Sequence, residues 1–203
     1  MITFAIPTYN RAEKLRACVE SIASQSPDEI VIADDASTDS TPAVCAALAK
    51  KYPCVRYLRF EDRLNFTGNY RRAVLASNSE YTWTFGDDDK LMPMSVSFME
   101  GMIKNTGFDF YHVAETIRAD KAEALCGTVW EICNTIGWLE FTGFISCNIG
   151  RTSLLKAGVE SPHWELYGKS AFPQSLAILE QMAGRPAMMG EMGCVESAKM
   201  GDD

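Results

Sequence analysis

The sequence predicts an α/β fold: a mostly parallel, Rossmann-like sheet with helices on both faces. Two observations lead to this prediction. Short apolar runs alternate with segments of helical periodicity through the first half of the chain, and the apolar runs are continuous, as in strands buried on both faces. The 203 residues, 47% of them hydrophobic, suit one domain of ordinary size. We therefore expect a single domain over residues 1–203, with no internal repeat and no linker.

The elements of the first half follow from apolar runs and from helix start and stop signals. Residues 2–6 form an apolar run that Pro7 ends, as a buried parallel strand would be. Thr41 followed by Pro42 is a typical helix start, with an N-cap hydroxyl and proline at the first helical position. Pro93 opens a later helix in the same way. The predicted elements are strand 2–6, helix 12–24, strand 29–33, helix 41–51, strand 55–60, helix 67–77, strand 81–85, helix 93–104 and strand 109–113.

The second half has a weaker pattern. Residues 115–140 show only loose helical spacing, whereas Pro173 begins a clear amphipathic segment. The predicted elements are strand 143–149, a short helix to residue 157, helix 173–183 and strand 187–195. We expect residues 1–114 to form a ligand-binding half and residues 115–203 to be integrated with it or to cap it.

Composition excludes several classes of protein. A net charge of −8 argues against broad nucleic-acid binding, because a phosphate backbone requires a basic footprint. We expect neither a spanning helix nor a signal peptide, because no apolar run is long enough to span a membrane and no basic stretch precedes the first short one. Seven cysteines without a CxxC pair predict buried free thiols in a reducing compartment. We expect a cytoplasmic protein, either free or in peripheral contact with the inner face of the membrane.

Polar residues collect where three predicted strands end. Strand one runs into Pro7–Arg11, strand two into Asp34–Asp39, and strand four into Gly86–Asp89. The carboxyl ends of parallel strands share one edge of a sheet, and ligands bind in the crevice outside it. The sequence therefore predicts one binding site built from these three loops.

The run Asp87-Asp88-Asp89 is the most informative of these loops. Three adjacent carboxylates repel one another, and a hard divalent cation such as Mg²⁺ or Mn²⁺ relieves the repulsion. The competing interpretation is a solvated acidic turn before the helix at Pro93. Asp34, at the end of a buried strand, needs a partner such as a base N–H or a ribose hydroxyl. A plain turn, in which side chains bond their own backbone, is the alternative there.

These motifs resemble a known family. The segments IPTYNRAEKLRACVESI, IVIADDASTDST and EYTWTFGDDDKLMP are similar to those of the inverting family 2 glycosyltransferases with the A-type nucleotide-diphospho-sugar fold, of the bacterial polysaccharide and O-antigen kind. The resemblance covers residues 2–104, and a weaker one continues through FISCNIGRTSLLKAG. It implies a nucleotide-diphospho-sugar donor, a sugar or lipid-linked sugar acceptor, and Mn²⁺ or Mg²⁺. The nucleotide-sugar site that it implies consists of Pro7, Thr8, Tyr9, Arg11, Asp34, Asp35, Asn65 and Asp87.

The same resemblance implies a metal site at Asp87, Asp88 and Asp89. Many members have aspartate where this chain has Gly86, so the choice of ligands is open; we favour Asp88, with Asp87 next. Positive charge at the phosphates is expected from Arg11, Arg63, Arg71 or Arg72, because arginine pairs bidentately with phosphate. Arg71 and Arg72 are equally compatible with a solvated helix face.

The catalytic base is the least defined part of the predicted site. The family places an acidic residue before a late helix, and here that loop is ESPHWELYGKSAF. Glu165 is the first candidate, because an apolar neighbour such as Trp164 raises the pKa of a carboxylate. His163 is the second, and Glu140 and Glu180 are further candidates. His112 lies in a predicted strand and is expected to be a bonded core residue.

Two classes of function are compatible with these residues. The first is a metal-dependent inverting sugar transferase of cell-surface polysaccharide synthesis. The second is a nucleotide-sugar-binding or assembly protein that has lost the base. A nucleotidyltransferase is less favoured, because the loop after strand one has no glycine. Release of nucleoside diphosphate would distinguish sugar transfer from the other two.

Overall fold

A computed structural model describes residues 1–114, 124–191 and 193–197. The strands are β1 (Ile2–Thr8), β2 (Glu29–Asp34), β3 (Val55–Arg59), β4 (Tyr81–Thr84), β5 (Lys90–Leu91), β6 (Phe110–Ala114), β7 (Leu125–Thr128), β8 (Asn148–Arg151), β9 (Pro186–Glu191) and β10 (Val195–Glu196). The helices are α1 (Ala12–Ala23), α2 (Thr41–Lys51), α3 (Asn65–Ala76), α4 (Ser95–Thr106), α5 (Val129–Ile136), α6 (Trp138–Thr142), α7 (Thr152–Val159), α8 (Trp164–Tyr167) and α9 (Pro173–Met182). A 3-10 helix, Ile145–Cys147, precedes β8.

Eight strands form one sheet in the order β3-β2-β1-β4-β8-β6-β9-β7. The first four are mutually parallel, and β6 is parallel to β9. Strand β8 is antiparallel to both of its neighbours, and β7 is antiparallel to β9. The predicted α/β fold with a mostly parallel sheet is confirmed. The carboxyl ends of β1, β2 and β4 meet at one edge, where the polar loops lie.

Apolar side chains cover both faces of this sheet. On one face, Phe4 stacks on Trp83 with ring centroids 5.0 Å apart, beneath apolar residues of α1, α2 and α4. On the other face, Tyr70 and Trp164 belong to a cluster with residues of α3, α7 and α9. Burial on both faces explains why the strands read as continuous apolar runs.

The structure corrects several predicted boundaries. The strand expected at 143–149 is a 3-10 turn followed by β8, because side chains of β4 bond to carbonyls of residues 145 and 146. Strand β7 lies inside the segment for which only helical spacing was expected, and residues 115–123 of that segment lie outside the described ones. The capping box of Thr128 and Glu131 was a readable signal for the start of α5.

Two further predictions concern membrane spans and thiols. Within the described ranges, no helix has the length and apolar character needed to cross a bilayer. All seven cysteines are free thiols, and most are buried. Cys54 is only partly buried and Cys126 is exposed, so the prediction of buried thiols holds for the other five.

Candidate active site

The acidic loop after β4 directs its three carboxylates to three different partners. Asp87 accepts a hydrogen bond from the Thr8 hydroxyl at 2.6 Å. Asp88 forms an ion pair with Arg11, 2.8 Å from Nη1 to Oδ2. Asp89 is buried and accepts from the hydroxyl of Ser146. Thr8 is the last residue of β1 and Arg11 follows that strand, so two of the predicted loops meet here. In the described part of the chain, no three acidic, histidine or cysteine side chains converge as a metal-binding group.

Asp87 has an altered acidity. Burial, and secondarily the like charge of Asp88, raise the pKa of its carboxyl to about 6, against the opposing effects of the Thr8 hydroxyl and Arg11. A carboxylate in this position lacks sufficient compensating charge. An additional cation at the loop would stabilise its ionised form.

The two aspartates that follow β2 have different surroundings. Asp34 is fully buried, and its carboxylate accepts from the Ser37 backbone N–H at 2.9 Å and the Tyr57 hydroxyl at 2.8 Å. The protein itself thus supplies a partner to each oxygen of Asp34, as the alternative interpretation of a plain turn predicted. Arg59 also lies 4.0 Å away.

Asp35 is the residue of this pair that reaches a cavity. Its Oδ1 accepts from the Leu64 backbone N–H at 2.8 Å and from Arg72 at 3.2 Å. Its Oδ2 is buried and has no hydrogen-bond partner within the described residues. An unpaired buried carboxylate oxygen is costly, so this atom is suited to accept from a ligand.

A cleft of about 200 Å³ lies at the carboxyl edge of the sheet. Its walls are formed by Pro7, Thr8, Tyr9, Arg11, Asp35, Arg63, Asn65, Phe66, Asn69 and Asp87. Of the eight residues predicted for the nucleotide-sugar site, only Asp34 is absent from this lining. A larger cavity, of about 530 Å³ between α1 and the start of α4, contains none of the predicted site residues.

Three residues of the lining complete the cleft. The guanidinium of Arg63, foreseen only as one of four phosphate candidates, lies 3.8 Å from the centre of the Tyr9 ring. Asn69 donates to the carbonyls of Thr8 and Ala33 and so ties the ends of β1 and β2 together. Its side-chain oxygen is buried without a partner in the described structure. Asn69 and Phe66 were missed, although the helical spacing from Asn65 places Asn69 on the same face.

None of the base candidates belongs to the cleft lining. Trp164 is buried and stacks on Tyr70, with ring centroids 6.1 Å apart, whereas the neighbouring Glu165 is exposed. The apolar environment expected for Glu165 is therefore not provided by Trp164. His163 Nδ1 lies 2.7 Å from Glu180 Oε1, so two of the other base candidates contact each other. Glu140 is exposed on α6.

Two of the remaining candidates are not in the cleft. Arg71 is partly buried on α3, and its Nε has no hydrogen-bond partner among the described residues. His112 is buried, with Nδ1 3.0 Å from Asn148 Oδ1, and burial lowers its pKa to about 4. The prediction that His112 is a bonded core residue is confirmed.

A comparison with protein families identifies the chain. The model of the family described as Glycosyl transferase family 2 matches residues 3–157, which is more than half of the chain. The chain belongs to this family. The resemblance seen in the sequence motifs is thus confirmed, and the A-type fold follows from the solved structures below.

Among curated proteins, the chain is 32% identical over 135 residues to the abequosyltransferase RfbV of Salmonella typhimurium strain LT2, covering 64% of this chain and 38% of RfbV. It is 26% identical over 165 residues to the uncharacterised glycosyltransferase YibD of Escherichia coli K12, covering 80% of this chain and 45% of YibD. The chain therefore spans less than half the length of these two relatives.

Solved structures share the fold. Residues 1–349 of S. aureus TarS in complex with UDP-GlcNAc align with 99% of this chain and 59% of that structure, with a TM-score of 0.75 and 17% identity. The mannosyltransferase PcManGT of Pyrobaculum calidifontis, in complex with GDP-Man and Mn²⁺, aligns with 99% of this chain and 58% of that structure, with a TM-score of 0.71 and 17% identity.

Proposed function

We propose that this chain transfers a sugar, with inversion, from a nucleotide-diphosphate donor to an acceptor hydroxyl, using a divalent cation. The observation that carries the proposal is the placement of Asp87, beside Asp88, on a cleft that is also lined by Asp35, a residue with an unpaired buried oxygen. A nucleotide diphosphate has both groups that such a cleft selects, a base with N–H donors and a diphosphate that binds cations. We assign residues 1–114 to the donor and residues 115–203 to the acceptor.

The donor base is assigned to Asp35 rather than to Asp34. The Oδ2 atom of Asp35 and the Oδ1 atom of Asn69 are acceptors without a hydrogen-bond donor among the described residues. Both oxygens of Asp34, by contrast, are bonded within the protein. The ring of Tyr9 provides an aromatic surface in the same cleft. Because Arg63 covers that ring, a stacked base would take the place of its guanidinium.

Asp88 and Asp87 would hold the cation. They fit a Mg²⁺ or Mn²⁺ ion shared with substrate phosphates, because such ions use one or two carboxylates and take their remaining oxygens from phosphate and water. The raised pKa of Asp87 indicates that the negative charge of the loop is not fully compensated, so a bound cation would be stabilised there. When bound, the cation neutralises charge on the departing diphosphate. Arg11, already paired with Asp88, lies where it can bind a phosphate oxygen.

The acceptor side supplies the base. We assign that role first to Glu165 and second to His163, with Glu180 and Glu140 after them. The base takes the proton of the acceptor hydroxyl, whose oxygen attacks the anomeric carbon as the bond to the diphosphate breaks. This single displacement inverts the configuration and needs no enzyme nucleophile.

The names of two relatives support a proposal for the biological setting. The name of RfbV describes transfer of abequose, and a further relative of this chain, ExoO of Rhizobium meliloti, is named for succinoglycan biosynthesis. We propose a role in bacterial cell-surface polysaccharide synthesis, with a sugar or lipid-linked sugar as acceptor. Because free cysteines suit a reducing compartment, we place the protein in the cytoplasm, free or peripherally at the inner face of the membrane.

Ligand-dependent stability tests the proposal. UDP and GDP are the first probes, because related structures hold UDP-GlcNAc and GDP-Man. Each is added with and without Mn²⁺, and the melting temperature is compared with that of the free protein. We expect at least one diphosphate to stabilise the protein in a Mn²⁺-dependent way. The absence of stabilisation by either, or by CDP, ADP or TDP, would contradict the proposal.

Turnover then separates the two functional classes. Incubation of the protein with the matching nucleotide sugar and Mn²⁺ should release nucleoside diphosphate, measured by a coupled phosphate assay. The exposure of Glu165 favours the alternative of a donor-binding protein without transferase activity. Tight binding with no release, in the presence of a range of acceptor sugars, would support that alternative.

A further inference from the structure

Ser146 links the acidic loop to the second half of the chain. Its hydroxyl is fully buried, accepts a hydrogen bond from the Gly86 backbone N–H at 2.7 Å and donates to the Asp89 carboxylate. One side chain thus bonds to the first and the last residue of the segment Gly86–Asp89. Asp87 and Asp88, between these two anchored positions, are the carboxylates associated with Thr8 and Arg11.

The backbone of Ser146 is itself anchored to β4. The Trp83 indole N–H donates to the Ser146 carbonyl at 2.7 Å, and the Thr84 hydroxyl donates to the Ile145 carbonyl at 3.0 Å. The 3-10 turn therefore has a fixed position against the strand that leads into the acidic loop. A buried hydroxyl with both of its bonds made in this way restricts the loop it contacts.

The Asp89 carboxylate packs directly against the backbone of Gly86. A Cβ atom at position 86 would lie 2.8 Å from Asp89 Oδ2 and 3.1 Å from the Ser146 hydroxyl. A side chain at position 86 would therefore force the Asp89 carboxylate, and with it the Ser146 hydroxyl, to shift. In addition, the Cys18 thiol donates to the Gly86 carbonyl at 3.3 Å, which fixes this residue from its other side.

We propose that Ser146 is a positioning residue for cation binding: it holds Asp89 under the loop, so that Asp87 and Asp88 face the donor cleft. This inference rests on the proposed function. It assigns Asp89 a structural role within the loop and leaves the ion to Asp88 and Asp87. It also implies that the turn before β8, which belongs to the acceptor side, helps to shape the donor site.

The test compares Ser146→Ala with Ser77→Ala. Ser77 is an equally buried serine whose hydroxyl donates to a single carbonyl, away from the cleft, so its variant measures the loss of a buried hydroxyl alone. Hydrogen exchange of the peptide containing Gly86–Asp89 is the first measurement. We expect exchange to be at least about tenfold faster in Ser146→Ala than in the wild type, and unchanged in Ser77→Ala. Equal exchange in both variants would overturn the proposal.

Affinity for Mn²⁺ provides the second measurement. Mn²⁺ is titrated calorimetrically into protein with whichever of UDP or GDP stabilises the wild type. We expect roughly tenfold weaker Mn²⁺ binding in Ser146→Ala. Asp89→Asn should stay within about threefold of the wild type, because its amide oxygen can still accept from Ser146. Loss of Mn²⁺ binding in Asp89→Asn as complete as in Asp88→Ala would overturn the assignment.

The two measurements separate failure of this inference from failure of the proposed function. A wild type that binds neither diphosphate with Mn²⁺ would refute the proposed function. The exchange measurement needs no ligand, so it would still decide whether Ser146 holds the loop.

Discussion

Asp34 and Asp35 form a natural matched pair for testing the donor site. We expect Asp35→Asn to weaken nucleoside diphosphate binding and Asp34→Asn to leave it within about threefold of the wild type. The difference comes from one atom: Asp35 lines the cleft and its buried Oδ2 is unpaired, whereas both oxygens of Asp34 are bonded to Ser37 and Tyr57. In Asp35→Asn, Oδ1 continues to accept from Leu64, so the new amide N–H₂ replaces Oδ2 and faces a base N–H.

The magnitude follows from the loss of a buried acceptor. Leaving a buried donor without its partner costs about 1–3 kcal/mol. Binding should therefore weaken roughly 5- to 150-fold. Both variants should lose about 1 kcal/mol of unfolding free energy, because Asp35 is paired with Arg72 and Asp34 is bonded within the core. Similar stability with different affinity is thus the expected signature.

Isothermal titration with UDP or GDP in the presence of Mn²⁺ measures the affinity, and urea unfolding without ligand measures the stability. If Asp34→Asn weakens binding as much as Asp35→Asn does, the assignment by unpaired oxygen is wrong. If neither variant weakens binding, the base does not contact this loop.

The remaining predictions concern the cation, the base and acid stability. Asp88→Ala should abolish Mn²⁺-dependent diphosphate binding with an unchanged or higher melting temperature, because a member of a repelling cluster is removed; retained affinity would remove Asp88 from the cation site. Glu165→Gln should lower kcat by roughly 10²–10⁴ with near-normal diphosphate binding; should it keep full turnover while His163→Ala or Glu180→Gln loses it, the base moves to that residue. His112, with its pKa lowered from 6.5 to about 4, stays neutral in the fold while the unfolded chain takes up a proton. The unfolding free energy should therefore fall by about 2 kcal/mol from pH 7 to pH 5, and His112→Gln should flatten this dependence in urea titrations; an identical pH dependence in both proteins would exclude His112 as its source.

The fold of residues 1–114 was predictable because each strand and helix is specified by its own short stretch of sequence. Strands buried on both faces must be continuous apolar runs, and the polar residues after them had to meet at one edge of the sheet. For this reason the loops that carry Tyr9, Arg11 and Asp87 could be assigned to one site from the strand pattern, and the family resemblance then implied which of their residues bind the donor.

What sequence could not decide was which of two adjacent aspartates lines the cleft. That choice depends on how the chain turns after β2, where Ala36 adopts a left-handed conformation with φ 62°. Alanine rarely adopts this conformation, so the residue type does not predict the turn. The partner of Asp89 was equally hidden, because Ser146 lies 57 residues further along the chain.

The position of β8 in the sheet has a consequence for the order of synthesis. Strand β8 hydrogen-bonds to β4 on one side and β6 on the other, so it joins strands made much earlier. Until residues 148–151 leave the ribosome, β4 presents an open edge, and open edges invite pairing with other chains. The nascent first half would thus be exposed to aggregation for the time needed to make the intervening residues. A fragment ending at residue 114 would keep this open edge permanently, and it would also lack the carbonyl that accepts from the buried indole of Trp83.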